Sequence, residues 1–177
     1  MKNRKELFKL DMVSVRLVND TPLMSAEKIE SPDAAVRLLG ALMSEIDREA
    51  IFAVNLNTRL LPINGTMVSM GTLGQSLVDP REIFKASILS NSARIILLHN
   101  HPSGDLTPSR EDIIMTNQLL QAGAIIGIPI LDHIIVGSNN NQFFSFKARG
   151  ILSGPDLNLS SNMNDLDFNQ KLKYLNR

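Results

Sequence analysis

The sequence predicts an α/β protein, a sandwich of helices around a mixed β-sheet, and three observations support this fold class. Strand-like and helix-like apolar patterns alternate along the chain. The Asn64-Gly65 pair between two strand-like segments predicts at least one hairpin. Apolar residues make up 44% of the 177 residues, which is enough to build the core of one domain.

The first predicted elements are a strand and a helix. Residues 12–18 alternate apolar and polar side chains, which predicts a half-buried strand. Ser31-Pro32-Asp33 predicts a helix start, because serine can cap free N–H groups, proline suits the first turn and aspartate faces the positive end of the helix dipole. We expect this helix to run to about Asp47 and to bury Ala35, Leu38, Leu39, Leu42 and Ile46.

A strand group and a second helix follow. Residues 49–56 predict a buried strand, and its expected partners are residues 60–63 and 67–73, on either side of the Asn64-Gly65 turn. Asp79-Pro80 predicts the start of a helix that continues to about Leu89.

The remaining elements surround a polar loop. In chain order we expect a strand at 94–98, a loop at 99–107, a helix at about 108–122, strands at about 127–131 and 133–136, and an edge strand at 143–146. The chain then divides into a strand-bearing extension (1–30), the main domain (31–152) and a polar tail (153–177).

Composition excludes several classes of function. Lysine plus arginine equals aspartate plus glutamate, at 18 each, so charge gives no support for binding nucleic acid or an anionic membrane. The absence of cysteine excludes disulfides, cysteine nucleophiles and thiolate metal sites. Neither a signal peptide nor an apolar run of roughly 20 residues is evident, so we expect a cytoplasmic protein.

The segment from Leu98 to Asp112 carries a candidate metal site. His99 and His101 stand two residues apart, and in an extended segment such side chains point the same way, so both can face one metal ion. Asp112 is expected in the first turn of the next helix. Two imidazoles and one carboxylate leave a fourth tetrahedral position for water, which is the composition of a catalytic zinc site.

Each part of this pattern also has a simpler explanation. A His-x-His pair occurs on surfaces and in cores, and Ser109 with Asp112 fits a helix-capping pattern that is compatible with metal binding. Glu49, at the head of a buried strand, is the best candidate for a general base. The alternative is that Glu49 belongs to the solvated end of the first helix.

The pattern His99-x-His101-x7-Ser109-x2-Asp112, with Glu49 upstream, resembles the motif of the JAMM (MPN-plus, or JAB) metalloproteases. The sequence His-Asn-His-Pro-Ser-Gly-Asp at 99–105, together with residues 78–83 and 131–137, is similar to the RadC-like branch of that family. The resemblance covers about residues 31–152.

This resemblance implies a cytidine-deaminase-like α/β/α fold (the JAB/MPN fold) with Zn²⁺ bound by His99, His101 and Asp112. It implies that Glu49 takes a proton from the zinc-bound water and passes it to the leaving amine, while Ser109 hydrogen-bonds the oxyanion or the water. The implied activity is that of a zinc metalloprotease-type hydrolase, acting on peptide or isopeptide bonds of a peptide or protein substrate.

Two features bear on alternative functions. Asn100 stands where many JAMM enzymes have serine or threonine, as in the RadC-like pattern. Longer RadC-like proteins carry a helix–hairpin–helix region associated with DNA binding, and residues 1–30 are too few for it, which weakens the link to DNA repair. The alternatives are a binding module in repair or mobile-element biology and a metal-dependent nuclease.

Base deamination is excluded, because the deaminases of this general fold need cysteine ligands. His133 is expected either to support the site or contact substrate, or to be an ordinary hydrogen-bonded histidine at a strand boundary.

Overall fold

A five-stranded mixed sheet lies at the centre of the fold, in a computed structural model that describes residues 14, 16–18, 27–70, 78–138 and 142–152. In chain order the elements are α1 (Pro32–Ser44), β1 (Ala50–Leu56), β2 (Pro62–Met70), α2 (Pro80–Leu89), β3 (Arg94–His101), α3 (Arg110–Ile126), β4 (Ile130–Gly137) and β5 (Phe143–Ser145). The strand order is β2-β1-β3-β4-β5, with β3 and β4 parallel and the other neighbours antiparallel.

Helices cover both faces of the sheet. Alternate residues of a strand point to opposite faces, so the central strands are buried on both sides. Helix α1 packs on the face formed by Phe52, Val54, Ile96, Leu98, Ile134 and Val136. Helices α2 and α3 pack on the face formed by Ile51, Ala53, Ile95, Leu97 and Ile130. This arrangement confirms the predicted α/β/α sandwich around a mixed sheet.

Helix α1 begins as predicted but turns a different face to the core. The Ser31 hydroxyl accepts a hydrogen bond from the Ala34 N–H at 3.2 Å, so serine is the N-cap. The prediction that Leu42 is buried is wrong, because its side chain is 42% exposed while Met43 is fully buried. One residue turns a helix by about 100°, and the sheet-facing stripe runs through 35, 36, 39 and 43. The helix also ends at Ser44, three residues before the predicted end.

The predicted Asn64-Gly65 turn is wrong. Both residues lie inside β2, where they pair with Asn55 and Val54 of β1. The chain reverses earlier, at 57–61, because the Asn57 side chain accepts hydrogen bonds from the N–H groups of Arg59 and Leu61 and so builds its own turn. Of the predicted second partner strand, residues 71–73 lie outside the described residues.

The predicted boundaries of β3, β4 and α3 also need correction. Strand β3 continues through His101, since its pairing with β4 extends to His101 and Gly137. The predicted strands at 127–131 and 133–136 are one strand, β4, because Gly127 caps α3 in the left-handed conformation and Asp132 stays within the sheet. Helix α3 begins at Arg110 and ends at Ile126, later than predicted at both ends.

The predictions for the chain ends are only partly covered. Residues 14 and 16–18 form no strand and Val18 is 90% exposed, so the predicted strand at 12–18 is not formed there. An alternating pattern forms a strand only where another strand supplies hydrogen bonds. Residues 12, 13 and 15 and the tail beyond 152 lie outside the described residues. Of the helices that the structure describes, none is long and apolar enough to cross a membrane.

Candidate metal centre

The predicted site residues meet at the carboxyl end of β3. Ile51 of β1 pairs with His99, so Glu49, two residues earlier on the same face, lies beside the histidines. The Glu49 Oε2 atom is 4.0 Å from Nε2 of His99. Glu49, His99 and His101 each offer a potential ligand atom, and these atoms lie within 4.8 Å of one another.

Asp112 reaches the same site from helix α3. It lies in the first turn of α3, where its Oδ1 atom is 3.0 Å from Nδ1 of His99 and its Oδ2 atom is 3.5 Å from Nε2 of His101. The two histidine side chains and the Asp112 side chain are each less than one-tenth exposed, whereas the Glu49 side chain is 39% exposed. The structure therefore brings together all four of these predicted residues, with Glu49 at the rim.

The contact between Asp112 and His101 shifts the pKa values of both buried groups. Burial alone would raise the pKa of the Asp112 carboxyl, but the neighbouring imidazoles of His101 and His99 and the hydroxyl of Ser109 hold it well below its usual range. Burial likewise lowers the pKa of His101, yet the contacts with Asp112 and the Asp105 carbonyl outweigh it and leave a net increase. Asp112 is therefore an anion at neutral pH, as a metal ligand must be.

Ring nitrogens that lack a hydrogen-bond partner indicate whether these residues fit a metal ion. Both ring nitrogens of His99 are buried without a hydrogen-bond partner among the described residues, although Nδ1 lies 3.0 Å from Oδ1 of Asp112. Nδ1 of His101 lies 2.6 Å from the carbonyl oxygen of Asp105, which can only accept. The proton of neutral His101 is therefore on Nδ1, and Nε2 presents a lone pair. Unpaired imidazole nitrogens beside an anionic carboxylate fit a divalent cation such as Zn²⁺.

Ser109 caps α3, as the simpler explanation of the sequence predicted. Its hydroxyl accepts from the Asp112 N–H at 3.1 Å and donates to Asp112 Oδ2 at 2.6 Å. Its backbone N–H donates to the same oxygen at 2.7 Å. The capping box thus also fixes the orientation of the Asp112 carboxylate, so the cap and the candidate ligand are one arrangement.

His133 is a buried, hydrogen-bonded histidine behind the site, and its partner Thr116 was not singled out in the sequence. The Thr116 hydroxyl donates to the Asp112 carbonyl at 2.5 Å and lies 2.7 Å from Nδ1 of His133. Because that hydroxyl has a single proton, Nδ1 of His133 must be the donor to it. The His133 ring stacks between Phe146, at 4.9 Å, and His99, at 5.9 Å. The available signal was the spacing of Thr116, one helical turn after Asp112.

The amide of Asn100 forms the other contact that the sequence did not reveal. Its side chain, 2% exposed, hydrogen-bonds the backbone of Ile46, Arg48 and Ala50. Residues 103 and 105 serve the turn between β3 and α3: Ser103 accepts from the Asp105 N–H, and Asp105 accepts from the Thr107 N–H.

Comparison of the sequence with known proteins identifies its family. The family model described as RadC-like JAB domain matches residues 29–151. A UPF0758 protein of Clostridium beijerinckii is 46% identical over 147 residues, which are 83% of this chain and 61% of the relative. One from Desulforamulus reducens is 47% identical over 124 residues, 70% of this chain and 54% of the relative. One from Methanosarcina mazei is 42% identical over 125 residues, 71% and 54% respectively.

The matched region defines what these similarities cover. The chain spans 54–61% of the length of these relatives. The match includes every residue of the candidate metal centre and all eight helices and strands of the described fold. The chain therefore belongs to the RadC-like JAB domain family, part of a superfamily of metal-dependent hydrolases.

Proposed function

We propose that this protein is a Zn²⁺-dependent peptidase or isopeptidase whose metal ligands are His99, His101 and Asp112. The observation that carries the proposal is the convergence of His99, whose two buried ring nitrogens lack hydrogen-bond partners among the described residues, and His101 on the anionic Asp112 carboxylate at one end of the sheet. When bound there, Zn²⁺ would act as a Lewis acid that polarises a scissile carbonyl and makes water nucleophilic near neutral pH.

Exposure distinguishes the third ligand from the base. Asp112 and Glu49 are both near the histidines, so either carboxylate could complete the ligand set. The Asp112 side chain is 6% exposed and oriented by Ser109, whereas the Glu49 side chain is 39% exposed. We assign Asp112 as ligand, because a buried carboxylate needs a cation, and Glu49 as base, because it can reach both solvent water and a bound substrate.

Glu49 would move one proton through the reaction. Its carboxylate accepts the proton of the attacking water and then donates it to the nitrogen of the leaving amine. The half-exposed position suits this task, since the same carboxylate must face the water first and the leaving group afterwards.

Ser109 would act first through Asp112. Its hydroxyl proton is directed to Asp112 Oδ2, so a contact with a substrate oxyanion requires the hydroxyl to turn away from that oxygen. The bond from the Ser109 backbone N–H to Oδ2 would remain and keep the ligand in place. We propose this exchange of partners as the way in which one serine serves both roles.

Three variants of the full chain test these roles. Glu49→Gln should keep about one zinc per chain, measured by elemental analysis, and lose roughly 10²- to 10⁴-fold in turnover. Asp112→Ala should lose the zinc itself. Glu45→Gln, an exposed glutamate at the end of α1, is the matched control and should behave as wild type.

The substrates are a peptide library and isopeptide-linked peptides, with plasmid DNA as the comparison. Full activity of Glu49→Gln would refute its role as base, and zinc retention by Asp112→Ala would refute its role as ligand. Metal-dependent DNA cleavage without peptide cleavage would replace the proposal with a nuclease. Salt-sensitive DNA binding without any cleavage would indicate a binding module.

A further inference from the structure

Asn100, the residue between the two histidines, holds the backbone on both sides of Glu49. We propose that Asn100 is a positioning residue that fixes the Glu49 carboxylate beside the metal centre. The inference rests on the proposed role of Glu49 as base, and it assigns a task to a residue that contributes no ligand atom.

Three hydrogen bonds carry the proposal. The Ala50 N–H donates to Asn100 Oδ1 at 2.6 Å. The Asn100 Nδ2 group donates to the Arg48 carbonyl at 2.9 Å and to the Ile46 carbonyl at 3.3 Å. Both amide hydrogens and the amide oxygen are thereby used, and the reversed amide would place oxygen against two carbonyls. The side chain is therefore locked to the turn that carries Glu49.

The position of Asn100 in the strand explains how it reaches this turn. Successive side chains of a strand point to opposite faces, so Asn100 points away from His99 and His101. Leu98, which shares its face, packs against α1, and the turn at 45–49 follows α1 directly. One strand end thus presents two candidate ligands on one face and a backbone clamp on the other.

Glu49 depends on this clamp because its own side chain has little else to hold it. Among the described residues its carboxylate makes no hydrogen bond, and its near titratable neighbours are the imidazoles of His99 and His101, whose ligand atoms lie within 4.8 Å. Glu49 lies between α1 and β1, outside both elements. Its carboxylate is therefore placed by the backbone at residues 48 and 50, and a displacement of about 1 Å can cost on the order of 10²-fold in rate.

Asn100→Asp is the most selective test. The aspartate keeps the shape and one oxygen for the Ala50 N–H, but its second oxygen faces the carbonyls of Arg48 and Ile46 and repels them. Asn55→Asp is the matched control, since Asn55 is another fully buried asparagine, at the opposite end of β1. Asn100→Ala removes all three bonds without adding a charge, and serves if Asn100→Asp does not fold.

The first measurement is hydrogen–deuterium exchange in the zinc-loaded full chain. We expect faster exchange in the segment 45–50 of the Asn100 variant and unchanged exchange in α3. Zinc affinity should stay within about threefold of wild type, because the ligands do not depend on this turn. Unchanged exchange at 45–50, or equal acceleration throughout the domain, would overturn the clamp.

The second measurement is a double-mutant cycle with Glu49→Gln on whichever substrate the wild type cleaves. The Asn100 variant should lower kcat by roughly 10- to 100-fold with KM little changed, and should have no further effect in the Glu49→Gln background. An equal loss in both backgrounds would show a merely structural role and overturn the proposal. If the wild type cleaves none of the substrates, the proposed function fails, whereas the exchange data still decide whether Asn100 clamps the turn.

Discussion

Replacing Thr116 by valine tests the buried pair behind the candidate metal centre. Thr116 is fully buried, donates to the Asp112 carbonyl and accepts from Nδ1–H of His133. Valine has nearly the same shape, so the substitution removes one hydroxyl and opens no large cavity. A simple hydrophobic argument would predict a more stable protein, since a buried methyl replaces a buried hydroxyl.

The hydrogen bonds predict the opposite sign. Losing the bond to Asp112 costs about 1 kcal/mol, and leaving the N–H of His133 buried without an acceptor costs a further 1–3 kcal/mol. We therefore expect Thr116→Val to lower the free energy of unfolding by about 2–4 kcal/mol. Thr116→Ser keeps the hydroxyl and loses one methyl group, which should cost only about 1 kcal/mol.

The assay is urea unfolding of the metal-free chain, followed by zinc affinity from competition with a chelator. Because Thr116 bonds the carbonyl of Asp112, Thr116→Val should also weaken zinc binding by roughly 10- to 100-fold, while Thr116→Ser should weaken it far less. If Thr116→Val is as stable as Thr116→Ser or more stable, the Thr116 hydroxyl does not stabilise the protein through its hydrogen bonds to Asp112 and His133.

Three further predictions follow from single residues. Burial, against hydrogen bonds from Ser145 and Lys147, raises the pKa of Asp132 from 3.8 to about 6. The stability that the protonated Asp132 carboxyl contributes is fully present below pH 3.8 and is lost as the pH rises through 6. Over that pH range, the free energy of unfolding of Asp132→Asn, measured in urea, should therefore increase by up to about 3 kcal/mol relative to that of wild type. Burial, reinforced by repulsion from His99, lowers the pKa of His133 to about 3, so nitrogen NMR at pH 5 should show a neutral ring protonated at Nδ1. A Cβ at Gly123 would lie 2.7 Å from the Ile128 carbonyl oxygen, so Gly123→Ala should lower Tm despite its better helix propensity.

Each of these three has a clear contrary result. A difference between Asp132→Asn and wild type that does not change with pH would mean that the carboxyl is not desolvated. A proton on Nε2 of His133, or a titration near pH 6.5, would mean that Thr116 does not fix the ring. A higher Tm for Gly123→Ala would mean that the gain in helix propensity, which is about 1 kcal/mol or less, outweighs the clash.

Local chemistry explains which elements could be predicted from the sequence. The starts of α1 and α2 were recognisable because Ser31 and Asp79 cap them with their own side chains. The Asn64-Gly65 pair gave a wrong turn prediction, because its preference for a turn is local and the pairing of these residues with β1 overrides it. The true turn at 57–61 has no glycine, and Leu60 adopts a positive φ of 63° that no sequence pattern indicated.

The sequence predicted the residues of the candidate site but not the hydrogen bonds that hold them in place. The spacing of His99, His101 and Asp112 follows from a strand end and a helix start, which are local features. The partners of Asn100 are 50 to 54 residues away along the chain, and Thr116 meets His133 across 17. Such contacts depend on how the elements pack in three dimensions, so they appear only in the folded structure.

The supports of the site belong to two different layers of the sandwich. Asn100 ties the central strand to the turn after α1 on one face, and Thr116 with His133 ties α3 to the sheet on the other. Both ties form when the core forms, so the entropy of ordering the site is lost during folding rather than on metal binding. A metal ion would then meet ligand side chains that folding has already oriented, and its binding would stabilise the native state relative to the unfolded chain.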